Sequence, residues 1–184
     1  MDAYYRDHLL FYTTKRVIDL KNQMAGVDVI FIHKNTETNF YIDEKAQLDY
    51  VNEDLPTFAF EIGFYKNEVY KEGWLYDSHK KTDFYALATA IYEDEPGTYT
   101  SCKITLVNRK KLRSWLSNHK ITKTLLNEYR FSNKSHQGKL VLKELCQKSE
   151  GYLYFSNSNK MEKPVNLILK LHFLEKNGIA KRLV

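Results

Sequence analysis

Apolar residues recur along this chain at two spacings, and the change from one to the other divides it into elements. Over residues 3–24, Leu10, Val17, Leu20 and Met24 fall at helical intervals behind Asp2, a good N-cap residue, so the spacing predicts an amphipathic helix. The period then shortens. Residues 27–33 and 40–48 are two apolar runs joined by the polar stretch KNTETN, the pattern of an antiparallel hairpin. Leu55-Pro56 interrupts the chain before 57–65, where Phe58, Phe60, Ile62 and Phe64 alternate with Ala59, Glu61 and Gly63 and mark one core-facing side.

Beyond that point the signals are mixed. Residues 66–81 read as a polar loop anchored by Gly73-Trp74-Leu75. The run 82–92 combines Ala with aromatics and Thr and is taken as a buried strand; 99–107 alternates as another. Asn108 is placed to cap a helix beginning RKKLRSWL, and a second helix is expected over 122–129. A polar loop at 130–137, a helix or mixed segment at 138–148 and closing strands at 152–155 and 165–171 complete the reading. With no repeat and no Pro/Gly-rich linker, residues 1–184 are expected to form one α/β domain with a mixed central sheet flanked by helices, in α-β-β-β order at the N-terminal half.

Composition narrows the class. The 184 residues, 43% hydrophobic, suffice for a substantial core. No apolar run approaches the roughly 18 residues of a membrane span, and MDAYYRDHLL lacks a basic-then-apolar leader pattern, so no membrane partner is expected and the location expected is cytoplasmic. Cys102 and Cys146 form no CxxC and stand at no zinc spacing with a His, which makes them reduced structural residues on this reading. Charge is uneven: residues 1–100 hold 10 Lys+Arg against 18 Asp+Glu, whereas 101–184 hold 18 against 5. Such a split suits a first half that holds cations and a second half that grips a polyanion.

The hairpin carries acids where an ordinary core strand carries none. Asp28 opens its first run; Asp43 and Lys45 lie two apart in the second and so share a face. Buried charges are costly unless paired or bound to a cation, and two carboxylates on neighbouring strands supply the hard oxygen ligands that suit Mg²⁺ or Mn²⁺. An ammonium beside that metal can orient or help deprotonate a water, or stabilise charge developing on phosphate. At about 100° per residue, Asp7 falls on the same side of the predicted helix as Leu10 and Val17 and can face the core or its rim.

Gly26-Val27-Asp28 followed by Asp43-Glu44-Lys45 resembles the active-site signature of the PD-(D/E)XK nucleases, the restriction-endonuclease-like superfamily that includes Holliday-junction resolvases. The resemblance spans about 65 residues, 1–65 carrying the motif. It implies a restriction-endonuclease-like core, Asp28 and Asp43 as ligands of Mg²⁺ or Mn²⁺, and Lys45 assisting the attacking water. It further matches Asp7 to an acid on the preceding helix that reaches the metal, and Gln47 to a polar residue touching substrate or water. The position between acid and lysine is usually apolar in that family and is Glu44 here; a bulge in the strand would make Glu44 the metal acid in place of Asp43.

The activity this implies is endonucleolytic hydrolysis of DNA phosphodiester bonds, with RNA an alternative substrate and a homodimer the natural way to cut two strands. Substrate contacts are expected from Lys80 and Lys81 in the loop before 82–92, and from Arg109, Lys110, Lys111 and Arg113 near a helix start within the basic half of about 100–184. Two other functions fit the same residues: a nucleic-acid-binding protein that keeps the fold without cutting, and a protein-interaction module.

Overall fold

The structure, a computed structural model, describes residues 1–67, 69–156 and 162–184. In chain order the elements are α1 (Asp2–His8), β1 (Tyr12–Arg16), α2 (Leu20–Met24), β2 (Val29–His33) and β3 (Asn39–Ala46), then β4 (Thr57–Lys66), β5 (Val69–Glu72), β6 (Phe84–Glu95) and β7 (Thr98–Asn108). They continue as α3 (Arg109–Asn118), α4 (Lys123–Ser132), β8 (Gly138–Leu140), β9 (Gly151–Phe155), β10 (Lys163–Lys170), α5 (Leu171–Lys176) and β11 (Ala180–Arg182). The class is α/β, with a mixed sheet ordered β1-β2-β3-β6-β7-β11 and an antiparallel sheet ordered β5-β4-β10-β9-β8. Among the described residues no helix is long and apolar enough to cross a membrane.

Two compact units result, each discontinuous in sequence. The first takes Met1–Asp54, His79–Arg109 and Lys181–Val184. Its mixed sheet contains the expected hairpin, with Val29 opposite Ile42 and Phe31 opposite Phe40, and the expected strand over 82–92, which is β6 and runs parallel to β3. Tyr5, Val29, Phe31, Ile42, Ala86 and Ile104 form a buried cluster in this unit.

The long helix expected over 3–24 is absent. α1 stops at His8, β1 pairs antiparallel with β2 from Tyr12↔His33 to Arg16↔Val29, and α2 is a single short turn capped by the Asp19 carboxylate, which accepts from the Asn22 N–H at 2.9 Å. Tyr12, Thr13 and Thr14 favour extended backbone through their aromatic and β-branched side chains, and strand pairing with β2 overrides the helical spacing. Of the four residues that created that spacing, Val17 is buried and Leu10, Leu20 and Met24 are exposed.

The second unit takes Leu55–Ser78 and Lys110–Ala180. Phe58, Phe60 and Ile62 of β4 face the same buried side as Val165, Leu167 and Leu169 of β10 and Leu153 and Phe155 of β9. Leu112 and Leu116 of α3, Leu126 of α4 and Leu174 of α5 are also buried. Thr122 caps α4 by accepting from the Leu125 N–H at 3.2 Å. β5 lies where a loop was expected and β8 where a helix or mixed segment was expected. Counted by unit, the first carries 12 Lys+Arg against 14 Asp+Glu and the second 16 against 9, so the charge contrast persists but is milder than the halves of the sequence suggest.

Candidate active site

The β2–β3 register brings the two acids together. Asp28 lies one residue ahead of β2, donates its backbone N–H to the Ile42 carbonyl at 2.8 Å, and accepts the Glu44 N–H on Oδ2 at 2.8 Å. Continuing the Val29↔Ile42 pairing by one residue sets Asp28 against Asp43. Asp43 is 2% exposed; its Oδ1 forms an ion pair with the Lys45 ammonium, and its Oδ2 is buried and receives no hydrogen bond. Burial pushes the Asp43 carboxyl above the usual carboxylate range, the Lys45 charge works against that rise, and the Asp28 charge adds to it.

A loop pair forms the floor. Gly26 has φ of 74°, and a Cβ there would stand 2.4 Å from Thr82 Oγ1, 3.0 Å from Lys80 Cδ and 3.4 Å from Asp43 Oδ2. Glycine is therefore required at once by backbone conformation and by space. The Thr82 hydroxyl donates to the Gly26 carbonyl at 2.7 Å, the Lys80 ammonium to the Met24 carbonyl at 2.7 Å and the Lys81 N–H to the Ala25 carbonyl at 2.8 Å. β6 supplies the neighbouring wall, with Tyr85 beside Asp43 and Leu87 beside Lys45. The buried Tyr85 hydroxyl accepts from Arg109 Nε at 2.9 Å, and Asp83 Oδ2 accepts the Tyr41 N–H at 2.9 Å.

Glu44 is turned to the other side of β3. Its Oε1 accepts from the Tyr5 hydroxyl at 3.0 Å, and its carboxylate forms an ion pair with Arg16, which also pairs with Asp2. Burial, reinforced by the Glu44 charge, raises the Tyr5 phenol far above its ordinary value, so it stays a neutral donor. The parallel register from Ile42 through Ala46 runs without a shift, so no bulge rotates β3 between the two acids. Asp43, and not Glu44, shares the side of Lys45, and the Glu44 carboxylate is engaged by Tyr5 and Arg16 instead.

The remaining predicted residues scatter. Asp7 is exposed and bonded to Arg6 at 2.9 Å, on the short α1 whose Tyr5 contacts Glu44, and the structure does not bring it to Asp43; the helix expected to carry it inward is broken by β1. Gln47, just past β3, is half-buried and its N–H donates to the Ala88 carbonyl at 3.1 Å. Lys80, Lys81 and Arg109 belong to the same unit as Asp43, whereas Lys110, Lys111 and Arg113 belong to the other. Arg109 is buried against Tyr85 rather than offered to solvent. Lys110 is exposed, Lys111 donates to the Gly178 carbonyl at 3.0 Å, and the Arg113 guanidinium lies 5.8 Å from the Tyr76 ring centre.

Sequence reasoning missed Thr82, Tyr85 and the Tyr5–Arg16 grip on Glu44. The Tyr85 and Thr82 positions follow from a parallel pairing between segments about 40 residues apart, for which no local signal exists. As for a metal, the buried, donor-free Asp43 Oδ2 beside a second carboxyl fits a hard divalent cation. Among the described residues no group of three or more His, Cys, Asp or Glu is arranged to hold one, so further ligands would be water or substrate oxygen. Comparison with known proteins adds no relative: no protein-family model, no curated protein and no solved structure matches the chain.

Proposed function

We propose that this chain is a metal-dependent nuclease of the PD-(D/E)XK type, hydrolysing DNA phosphodiester bonds as an endonuclease. The observation that carries the reading is Asp43 itself: a carboxylate 2% exposed, paired on one oxygen with Lys45 and left without a donor on the other, beside Asp28. A buried acid so placed is a cost to the fold that a bound cation would remove. Asp28 and Asp43 would hold Mg²⁺ or Mn²⁺, and such an ion supplies Lewis acidity toward phosphate oxygen and a more acidic bound water.

The chain's own groups divide the other tasks. Asp43 must lose its proton before it can serve as a ligand; burial opposes that loss and the Lys45 charge favours it. The Lys45 ammonium, 29% exposed at its side chain, then faces both the acid and solvent, where it can steer a water or stabilise charge growing on a phosphate. The Glu44 N–H holds Asp28 by one oxygen and so fixes the second carboxylate against rotation. With one such site per chain, cutting both strands of a duplex calls for two copies.

Incubating wild type, Asp43→Ala and Lys45→Ala with duplex, nicked, single-stranded and branched DNA in Mg²⁺ or Mn²⁺ tests this. Metal-dependent cutting lost in both variants is expected. Cutting that persists in both would overturn the assignment, and salt-dependent binding with no cutting of any substrate would make the chain a binding protein.

A further inference from the structure

The outward side of the antiparallel sheet carries a different recognition chemistry. In β9 the residues alternate strictly: Gly151, Leu153 and Phe155 are buried, while Tyr152 is half-buried and Tyr154 is 38% exposed. β10 alternates likewise, with Val165, Leu167 and Leu169 inward and Asn166, Ile168 and Lys170 on the other side. The register sets Tyr152 opposite Ile168 and Tyr154 opposite Asn166, and on its other flank β9 places Tyr154 opposite Lys139 of β8. The Lys139 ammonium lies 4.0 Å from the centre of the Tyr152 ring. The solvent side of an antiparallel strand ordinarily carries polar residues, so two tyrosines two positions apart among lysines invite a ligand.

We infer that this strip of β8, β9 and β10 is a stacking platform for the bases of single-stranded nucleic acid. Successive outward residues of one strand present their rings along a line, as successive unpaired bases require. In a duplex the base faces are already covered by their neighbours, so the same tyrosines distinguish single strands from double. Lys139 supplies the charge: its side chain is exposed, and its ammonium can leave the Tyr152 ring, a weak contact at such sites, for a phosphate. Lys170 extends the positive edge along β10, and Glu61, opposite Asn166 on β4, sets the acidic limit of the strip. A polyanion is the occupant that complements this unit, with its 16 basic against 9 acidic residues. The inference rests on the nucleic-acid part of the proposal above and not on cleavage.

The test is equilibrium binding of labelled oligothymidylate, and of the matching oligo(dA)·oligo(dT) duplex, in EDTA so that no cutting intervenes. The full chain, Tyr152→Ala/Tyr154→Ala and Tyr152→Phe/Tyr154→Phe are compared at one salt concentration. The alanine pair is expected to lose about tenfold or more in single-strand affinity, with duplex affinity unchanged and the phenylalanine pair close to wild type. Equal binding by the alanine pair, a parallel loss on duplex, or no nucleic-acid binding by wild type would overturn the platform. Should the alanine pair misfold by circular dichroism, ultraviolet crosslinking of oligothymidylate to wild type decides: adducts at Tyr152 or Tyr154 support the platform, and adducts only elsewhere refute it. Because Asp43 and Lys45 are untouched, the platform can fail while metal-dependent cutting survives, and the reverse.

Discussion

Asp43 and Glu44 are adjacent residues of one strand, and the protein treats their carboxylates oppositely. On one side of β3, Glu44 is met by a phenol and a guanidinium, every partner a donor. On the other, Asp43 is more deeply buried, yet it has Lys45 on one oxygen, no donor on the second and another carboxyl nearby. A fold that needed both acids only for stability would supply both with donors. On the function proposed above, Glu44 is a structural anchor and Asp43 is the group that a bound cation would satisfy.

The sharpest way to break that contrast is Asp43→Asn, which keeps shape and removes charge. Cleavage is expected to fall by about a thousandfold or more, in the range seen when a group acting at the transition state is removed. Stability should move the other way. The Asp43 carboxyl sits above its unfolded value, so its contribution to stability is fully present below the unfolded value and is lost as pH rises through the folded one. At neutral pH without metal the carboxylate is therefore a cost, and asparagine is expected to raise the melting temperature by a few degrees, an advantage that closes as the pH falls toward the ordinary carboxylate range. Added Mg²⁺ should stabilise wild type and leave the variant unmoved. A wild type more stable than Asp43→Asn at neutral pH in EDTA would mean that the Lys45 pair outweighs burial, and the contrast would dissolve.

Glu44→Ala probes the other side. It strands the buried Tyr5 hydroxyl and takes one of two carboxylates from Arg16, so unfolding by urea should show a loss of about 1–3 kcal/mol. Its backbone N–H still reaches Asp28, so metal-dependent activity of the folded fraction should stay within about tenfold of wild type, little more than 1 kcal/mol in the barrier. A loss as large as that of Asp43→Asn, with stability unchanged, would reverse the roles assigned here.

How much of this was legible depends on how local each feature is. The hairpin was, because its two apolar runs and polar turn lie within about 20 residues, and the shared side of Asp43 and Lys45 followed from strand periodicity alone. The choice between Asp43 and Glu44 was not, because it turns on Tyr5 and Arg16 reaching β3 from elements that helical spacing had fused into one helix. The division into two units was hidden for a similar reason: the chain leaves the first at Asp54, returns at His79 and leaves again after Arg109, with no linker-like composition at any crossing. Arg109 shows the limit of counting charges. It reads as one of a basic cluster, but its backbone N–H is bonded to Asp83 and its side chain is buried on Tyr85, while the flanking Lys110 is exposed.

The smallest expected effect isolates a single bond behind the strand. Tyr5→Phe removes the hydroxyl that donates to Glu44 and keeps the ring that packs edge-on against Phe31 at 4.9 Å. Glu44 retains Arg16, so no charge is stranded, and the loss in urea unfolding should be about 1 kcal/mol, the net worth of one hydrogen bond. Because Glu44 and Asp28 are joined through the strand backbone, two outcomes separate a passive anchor from an active one. If only stability falls, the Tyr5 bond holds the strand and no more. If kcat falls while the affinity for metal-free DNA is unchanged, the anchor sets the position of Asp28 relative to Asp43, and the two sides of β3 act as one device.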